Sequence, residues 1–82
     1  MTTPESIKHT IETGIACDHL EVVGDGQHFQ ALIVSQAFEG LGKVRRHQRV
    51  YEALGERMRE EIHALSMTTL TPAEWAQRRG GA

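Results

Sequence analysis

The chain of 82 residues carries five histidines, His9, His19, His28, His47 and His63. Imidazole titrates near neutral pH and is a common metal ligand, so these are the side chains with the widest chemical range. Two stand out by position. His28 opens the apolar run His28–Ser35, and His63 sits near the start of a second run, Ile62–Ser66. If these runs are parallel neighbours, both imidazoles lie near one end of a sheet. Strands roughly 4.8 Å apart would let both reach one metal, given a register that puts them on compatible faces. Two histidines are too few for a closed zinc site, which takes four protein ligands, or three plus water. A site with two protein ligands must be completed from outside, and two imidazoles on one iron of a [2Fe–2S] cluster is known chemistry, as in Rieske centres. From spacing alone the plainer alternative carries more weight: His28 a polar strand-edge residue and His63 a half-buried, hydrogen-bonded one.

A second candidate is the basic segment Lys43-Val44-Arg45-Arg46-His47-Gln48-Arg49, whose Lys43, Arg45, Arg46 and Arg49 could contact phosphates. Glu52, Glu56, Glu60 and Glu61 follow closely, and no aromatic side chains interleave the cations, so a solvated helix face is the commoner meaning of such a pattern. His47 is expected to pack on the apolar stripe of that helix. Catalysis has little support. Ser35 and Ser66 lack a nucleophile-elbow context. Cys17 has no neighbouring cations to activate it. Asp18, Glu21 and Asp25 read as surface acids, and Gly24-Asp25-Gly26 reads as a hairpin turn rather than a phosphate loop.

The elements that would position these groups follow from periodicity and punctuation. Thr3-Pro4-Glu5 is a helix start, a capping hydroxyl followed by proline and an acid. Ile7 and Ile11 share one face of a helix over about Pro4–Thr13, with Gly14 as its stop. A strand is expected over His19–Val23, then a hairpin turn at Asp25-Gly26 with positive φ at both positions. The run His28–Ser35 is apolar on both faces at its centre, which predicts a central strand buried on both sides. Val44, His47, Tyr51, Leu54 and Met58 recur every three or four residues and predict a helical stripe, interrupted at Gly55, with a second short helix over Glu56–Glu61. Ile62–Thr69 is the third strand. Thr71-Pro72-Ala73-Glu74 repeats the N-terminal capping grammar and starts a last helix to about Arg78; residues 79–82 are expected to form a disordered tail. The order α-β-β-α-α-β-α predicts an antiparallel hairpin followed by a helical crossover to a parallel third strand.

Composition bounds the rest. A hydrophobic fraction of 39% and a charged fraction of 24% suit one small α+β domain over residues 1–82. The formal net charge of −2 gives the domain no overall attraction for polyanions. A lone cysteine cannot form an internal disulfide, which fits a reducing compartment. No apolar run reaches membrane-span length and the N-terminus lacks signal-peptide character, so the cytoplasm is the expected location.

Taken together, Phe38-Glu39-Gly40, Arg46-His47-Gln48-Arg49-Val50-Tyr51, Ile62-His63-Ala64-Leu65-Ser66 and Thr71-Pro72-Ala73-Glu74-Trp75 resemble the BolA family, in family order and over nearly the whole chain. The Thr-Pro-Ala-Glu-Trp ending and short hairpin loop are most similar to its smaller bacterial IbaG/YrbA-like branch. The resemblance implies a fold like the type II KH domain, with a three-stranded mixed sheet. It also implies a non-enzymatic role in iron–sulfur handling, with a bridging [2Fe–2S] cluster shared with a monothiol glutaredoxin and its glutathione. In that arrangement His63 of the His-Ala-Leu-Ser motif is the main ligand and His28 occupies the place of a second; Cys17 lies too early to match the loop cysteine of other branches. Alone, such a protein is expected to be a monomer or weak homodimer. BolA-like proteins have also been proposed to regulate transcription and respond to stress. DNA binding by Lys43, Arg45, Arg46 and Arg49 is the alternative here, although the chain lacks the Gly-x-x-Gly clamp of KH domains proper.

Overall fold

The computed structural model describes residues 2–80. Its elements run α1 (Pro4–Gly14), β1 (His19–Gly24), β2 (His28–Val34), a 3₁₀ turn (Gln36–Phe38), α2 (Lys43–Leu54), α3 (Glu56–Glu60), β3 (Ala64–Leu70) and α4 (Pro72–Gly80). This is an α+β fold with a three-stranded mixed sheet in the order β1-β2-β3. β1 is antiparallel to β2, with Leu20 opposite Ile33, and β2 is parallel to β3, with His28 opposite Ala64. The helical crossover from β2 to β3 is thus carried by α2 and α3.

Local chemistry explains the boundaries. The Thr3 hydroxyl accepts the Ser6 N–H at 3.1 Å and Pro4 opens α1. The end of α1 differs from expectation. Gly14 has no positive φ; the extended Ile15 closes the helix by donating its N–H to the Ile11 carbonyl. Gly14 matters instead as a contact, because a Cβ there would lie 2.8 Å from the Ala53 Cβ. The missing side chain lets α1 lie against α2. The hairpin turn also differs. Only Gly26 has positive φ, at 103°, so the turn follows a Gly-x pattern rather than the expected pattern of two left-handed residues. Asp25 holds it through its carboxylate, which accepts the N–H groups of Gln27 and His28, both at 2.9 Å.

The core lies between the sheet and the pair α1 and α2. Ile7, Ile11, Phe29, Ile33, Phe38 and Val50 are fully buried or nearly so, and the aliphatic cluster continues through Leu20, Leu54 and Ile62. Burying such side chains contributes about 1.5–3 kcal/mol each. The buried face of α2 matches the expected stripe only in part: Leu54 is buried and Met58 packs against the core. Val44 and Tyr51 are exposed, and Val50 takes the central core position beside Leu54. A rotation of the helix about its axis separates the two faces, and both offered apolar residues at helical spacing. β2 is central as expected, but it is buried on both sides only at its end. His28 and Gln30 face solvent, while Val34 is fully buried. The reason is α4, whose Trp75 ring stacks on His19, the partner of Val34 in β1, at a centroid distance of 4.7 Å. α4 therefore covers one end of the second sheet face and leaves the other end open. Arg79 and Gly80 belong to α4 rather than to a disordered tail; residues 81 and 82 lie outside the described residues.

Candidate metal-ligand site

The uncovered end of the sheet is where His28 and His63 stand. His63 precedes β3 by one residue, and its ring is exposed rather than half-buried. It lines an open groove of about 670 Å³ with Thr2, Asp25, Gly26, Gln27 and Glu61. The groove is built by three separate elements. The hairpin turn supplies Asp25, whose carboxyl is held below its ordinary range by the N–H groups of His28 and Gln27. The end of α3 supplies Glu61, whose carboxyl is lowered by a hydrogen bond from Arg57 and another from Thr2. The start of α1 is tied in by Arg57, which donates to the Ser6 carbonyl at 3.1 Å and to the Thr10 hydroxyl at 2.6 Å. His63 thus shares its groove with two carboxylates, each held by hydrogen bonds of its own.

His28 is exposed at the same end of the sheet. Its Nδ1 lies 3.9 Å from the Asp25 carboxylate, so Asp25 stands beside His28 and also lines the groove of His63. The register is offset by one residue, however, with His28 opposite Ala64. Consecutive residues of a pleated strand point to opposite faces, so the offset works against a shared first coordination sphere. His28 is not among the described residues that line the groove of His63.

Among the described residues, no group of three or more His, Cys, Asp or Glu side chains is disposed to hold a metal ion. The donor set at this end is one or two exposed imidazoles. That chemistry suits the histidine side of a cluster whose other ligands come from outside, and it does not suit a self-contained zinc site. Cys17 is not part of it. Its thiol is pushed up by burial and by the nearby Glu12 and Asp18, and it donates to the Ile15 carbonyl at 3.3 Å. His19 is paired with Glu21 and stacked on Trp75. His47, on α2, has its Nε2 buried with no hydrogen-bond partner among the described residues.

The basic helix divides. Lys43 and Arg45 are exposed and Arg49 is half-buried. Arg46 is committed internally. It donates to the Leu41 carbonyl at 2.8 Å, the Thr69 carbonyl at 3.0 Å and the Glu74 carboxylate at 2.7 Å. Glu74 also accepts the Thr71 N–H and donates its own N–H to the Thr71 hydroxyl, forming a reciprocal cap on α4. Arg46 and these caps hold the Glu74 carboxyl down at about 2.

Residues 3–74 match the family model described as BolA-like protein. The chain belongs to the BolA-like family. Over 74 residues it is 38% identical to a BolA-like relative, the acid stress protein IbaG of Escherichia coli, covering 89% of this chain and 88% of that one. Over 52 residues it is 46% identical to the DNA-binding transcriptional regulator BolA of Haemophilus influenzae, of which it covers half. Among solved BolA structures, the homologue from Coxiella burnetii superposes with a TM-score of 0.79 at 45% identity, over 92% of this chain and 97% of that one. The mouse BolA1 solution structure gives 0.82 at 30% identity, over 93% and 70%.

Sequence reasoning found the histidines but missed Asp25, Glu61 and Thr2 as their surroundings. A signal existed for part of this: Arg57 and Glu61 are spaced i, i+4, and Asp25 precedes a glycine in a tight turn. Nothing local marks Thr2, whose hydroxyl reaches Glu61 across 59 positions of sequence.

Proposed function

We propose that this BolA-like chain is a non-enzymatic adaptor in iron–sulfur handling. In this reading His63 is the main ligand it contributes to a [2Fe–2S] cluster whose other ligands come from a monothiol glutaredoxin and glutathione. The observation that carries the reading is the exposed His63 ring at a built groove, in a donor set that the described residues do not complete. The cluster, when bound, supplies electron-transfer and sensing capacity through its irons. The chain's own residues have other tasks. Asp25 and Glu61 keep the rim of the groove anionic; Arg57 anchors Glu61, and the Gln27 and His28 N–H groups anchor Asp25. His63 presents its imidazole to the groove, and the register offset leaves His28 at the periphery of the site.

The test is to co-express the protein with a monothiol glutaredoxin and record visible absorption and CD of the heterocomplex. His63→Ala is expected to abolish or reshape the charge-transfer bands, and His28→Ala to change them less. A heterocomplex spectrum unchanged by His63→Ala would defeat the ligand assignment.

A second reading, DNA binding through α2, is supported by the similarity to the Haemophilus relative, named a DNA-binding transcriptional regulator, and by the exposure of Lys43 and Arg45. It predicts affinity that falls steeply with salt, because phosphate contacts release counterions. Replacing Lys43 and Arg45 with Ala should lower both affinity and slope. Binding that ignores salt, or no binding, would remove it.

A further inference from the structure

The edge of the sheet far from β1 carries a second groove, of about 640 Å³, which the metal-ligand site does not use. Its floor is the outer edge of β3 from Met67 to Leu70, and its walls are the start of α2 and the face of α4. The direction of the β3 backbone groups can be assigned. The Ala64 N–H donates to the Gln27 carbonyl and the Leu70 carbonyl accepts the Ser35 N–H, so the even-numbered residues of β3 bond to β2. The odd-numbered residues, Leu65, Met67 and Thr69, direct their N–H and C=O groups outward. The Thr69 carbonyl confirms the alternation, because it accepts from Arg46 on that outer side. Among the described residues the N–H and C=O of Met67 and the N–H of Thr69 have no partner; Thr69 is itself buried beside Arg46, so the open part of the edge is centred on Met67.

Two exposed cations flank this edge on opposite walls, Lys43 at the start of α2 and Arg78 on α4. Arg46, the third cation of the groove, is neutralised by Glu74. We infer that this groove receives an extended peptide segment of a partner protein. The segment adds as a fourth strand beside β3 and places adjacent acidic side chains against Lys43 and Arg78. Neighbouring residues of a strand point to opposite faces, so two consecutive acids meet the two walls at once. Leu41 and Met67 supply apolar surface between the charges. A nucleic acid matches the groove less well. Paired backbone donors and acceptors complement a peptide, whereas a phosphate chain finds only two free cations and an outward carbonyl at Met67.

The experiment uses the full chain with a fluorescein-labelled peptide, Thr-Val-Asp-Glu-Val-Thr, and a control with Lys-Lys in place of Asp-Glu. Anisotropy and ¹⁵N-HSQC titrations give affinity and location. Saturable binding of the acidic peptide, with shifts and slowed exchange at the Met67 and Thr69 amides, is the expected result. The double variant Lys43→Glu/Arg78→Glu should weaken that binding at least tenfold. Met67→Pro removes an outward N–H on an edge strand and should abolish it. The charge variants keep the test decisive if the proline variant fails to fold. Four outcomes would each overturn the inference: no saturation by the acidic peptide, equal binding of the control, tighter binding of a twelve-nucleotide single strand at the same amides, or prior protection of those amides in a homodimer. None of these depends on His63, so the adaptor reading is tested separately.

Discussion

The two ends of the sheet use the same kinds of side chain in opposite ways. At the end covered by α4, Arg46 and Glu74 bond each other, two backbone carbonyls and the cap of a helix. At the end left open, Asp25, His28 and His63 stand exposed, and the Asp25 carboxylate lies 3.9 Å from the His28 ring. The first cluster consumes its polar capacity internally and fixes where α2, β3 and α4 meet. The second leaves imidazole nitrogens free beside a scaffold that holds them in place. Composition does not distinguish an architectural charge from an available one; satisfaction of its hydrogen bonds does.

The contrast can be broken most directly at Arg46. Arg46→Ala leaves the Thr69 and Leu41 carbonyls without their donor and Glu74 without its partner. Tm is expected to fall by roughly 5–10 °C in a thermal melt. The loss should be pH-dependent. The folded Glu74 carboxyl sits at about 2 against an ordinary 4.5, so its contribution is fully present above about pH 4.5 and fades as pH falls toward 2. The melting gap between wild type and Arg46→Ala should therefore narrow over that window; a constant gap would mean that Glu74 is not coupled to Arg46 in solution.

One helix position further on, His47 tests the same rule in reverse. Its buried Nε2 has no partner among the described residues. His47→Leu removes an unsatisfied polar atom and should raise stability by about 1 kcal/mol in urea unfolding. A loss of stability would show that the ring makes a hydrogen bond. The smallest effect belongs to His63. An exposed ring of this kind carries little folding energy, so His63→Ala should leave stability within roughly 0.5 kcal/mol of wild type. A large drop would make His63 architectural and erase the difference between the two ends.

Much of the fold was legible because its signals are local. The hydroxyl of Thr3 and the Thr71–Glu74 pair cap helices within three residues of themselves. Ile7 and Ile11 mark a helix face at a spacing of four, and the apolar run of β2 marks a central strand. The α2 face was placed correctly at Leu54 but not at Val44 and Tyr51, because these and Val50 all fit helical periodicity and only contact with α1 and the sheet chooses among them. Arg46 read as one cation in a basic run, since its partner Glu74 lies 28 positions away.

By itself the sequence determined the order of elements, the antiparallel hairpin, the parallel crossover and the histidines at one end of the sheet. These follow from periodicity, capping and turn chemistry, which act over a few residues. Tertiary structure decided the offset that sets His28 opposite Ala64, the groove that Thr2 and Glu61 build around His63, and the internal use of Arg46. Each depends on how segments distant in the chain pack, and packing selects one arrangement among several that local preferences permit equally.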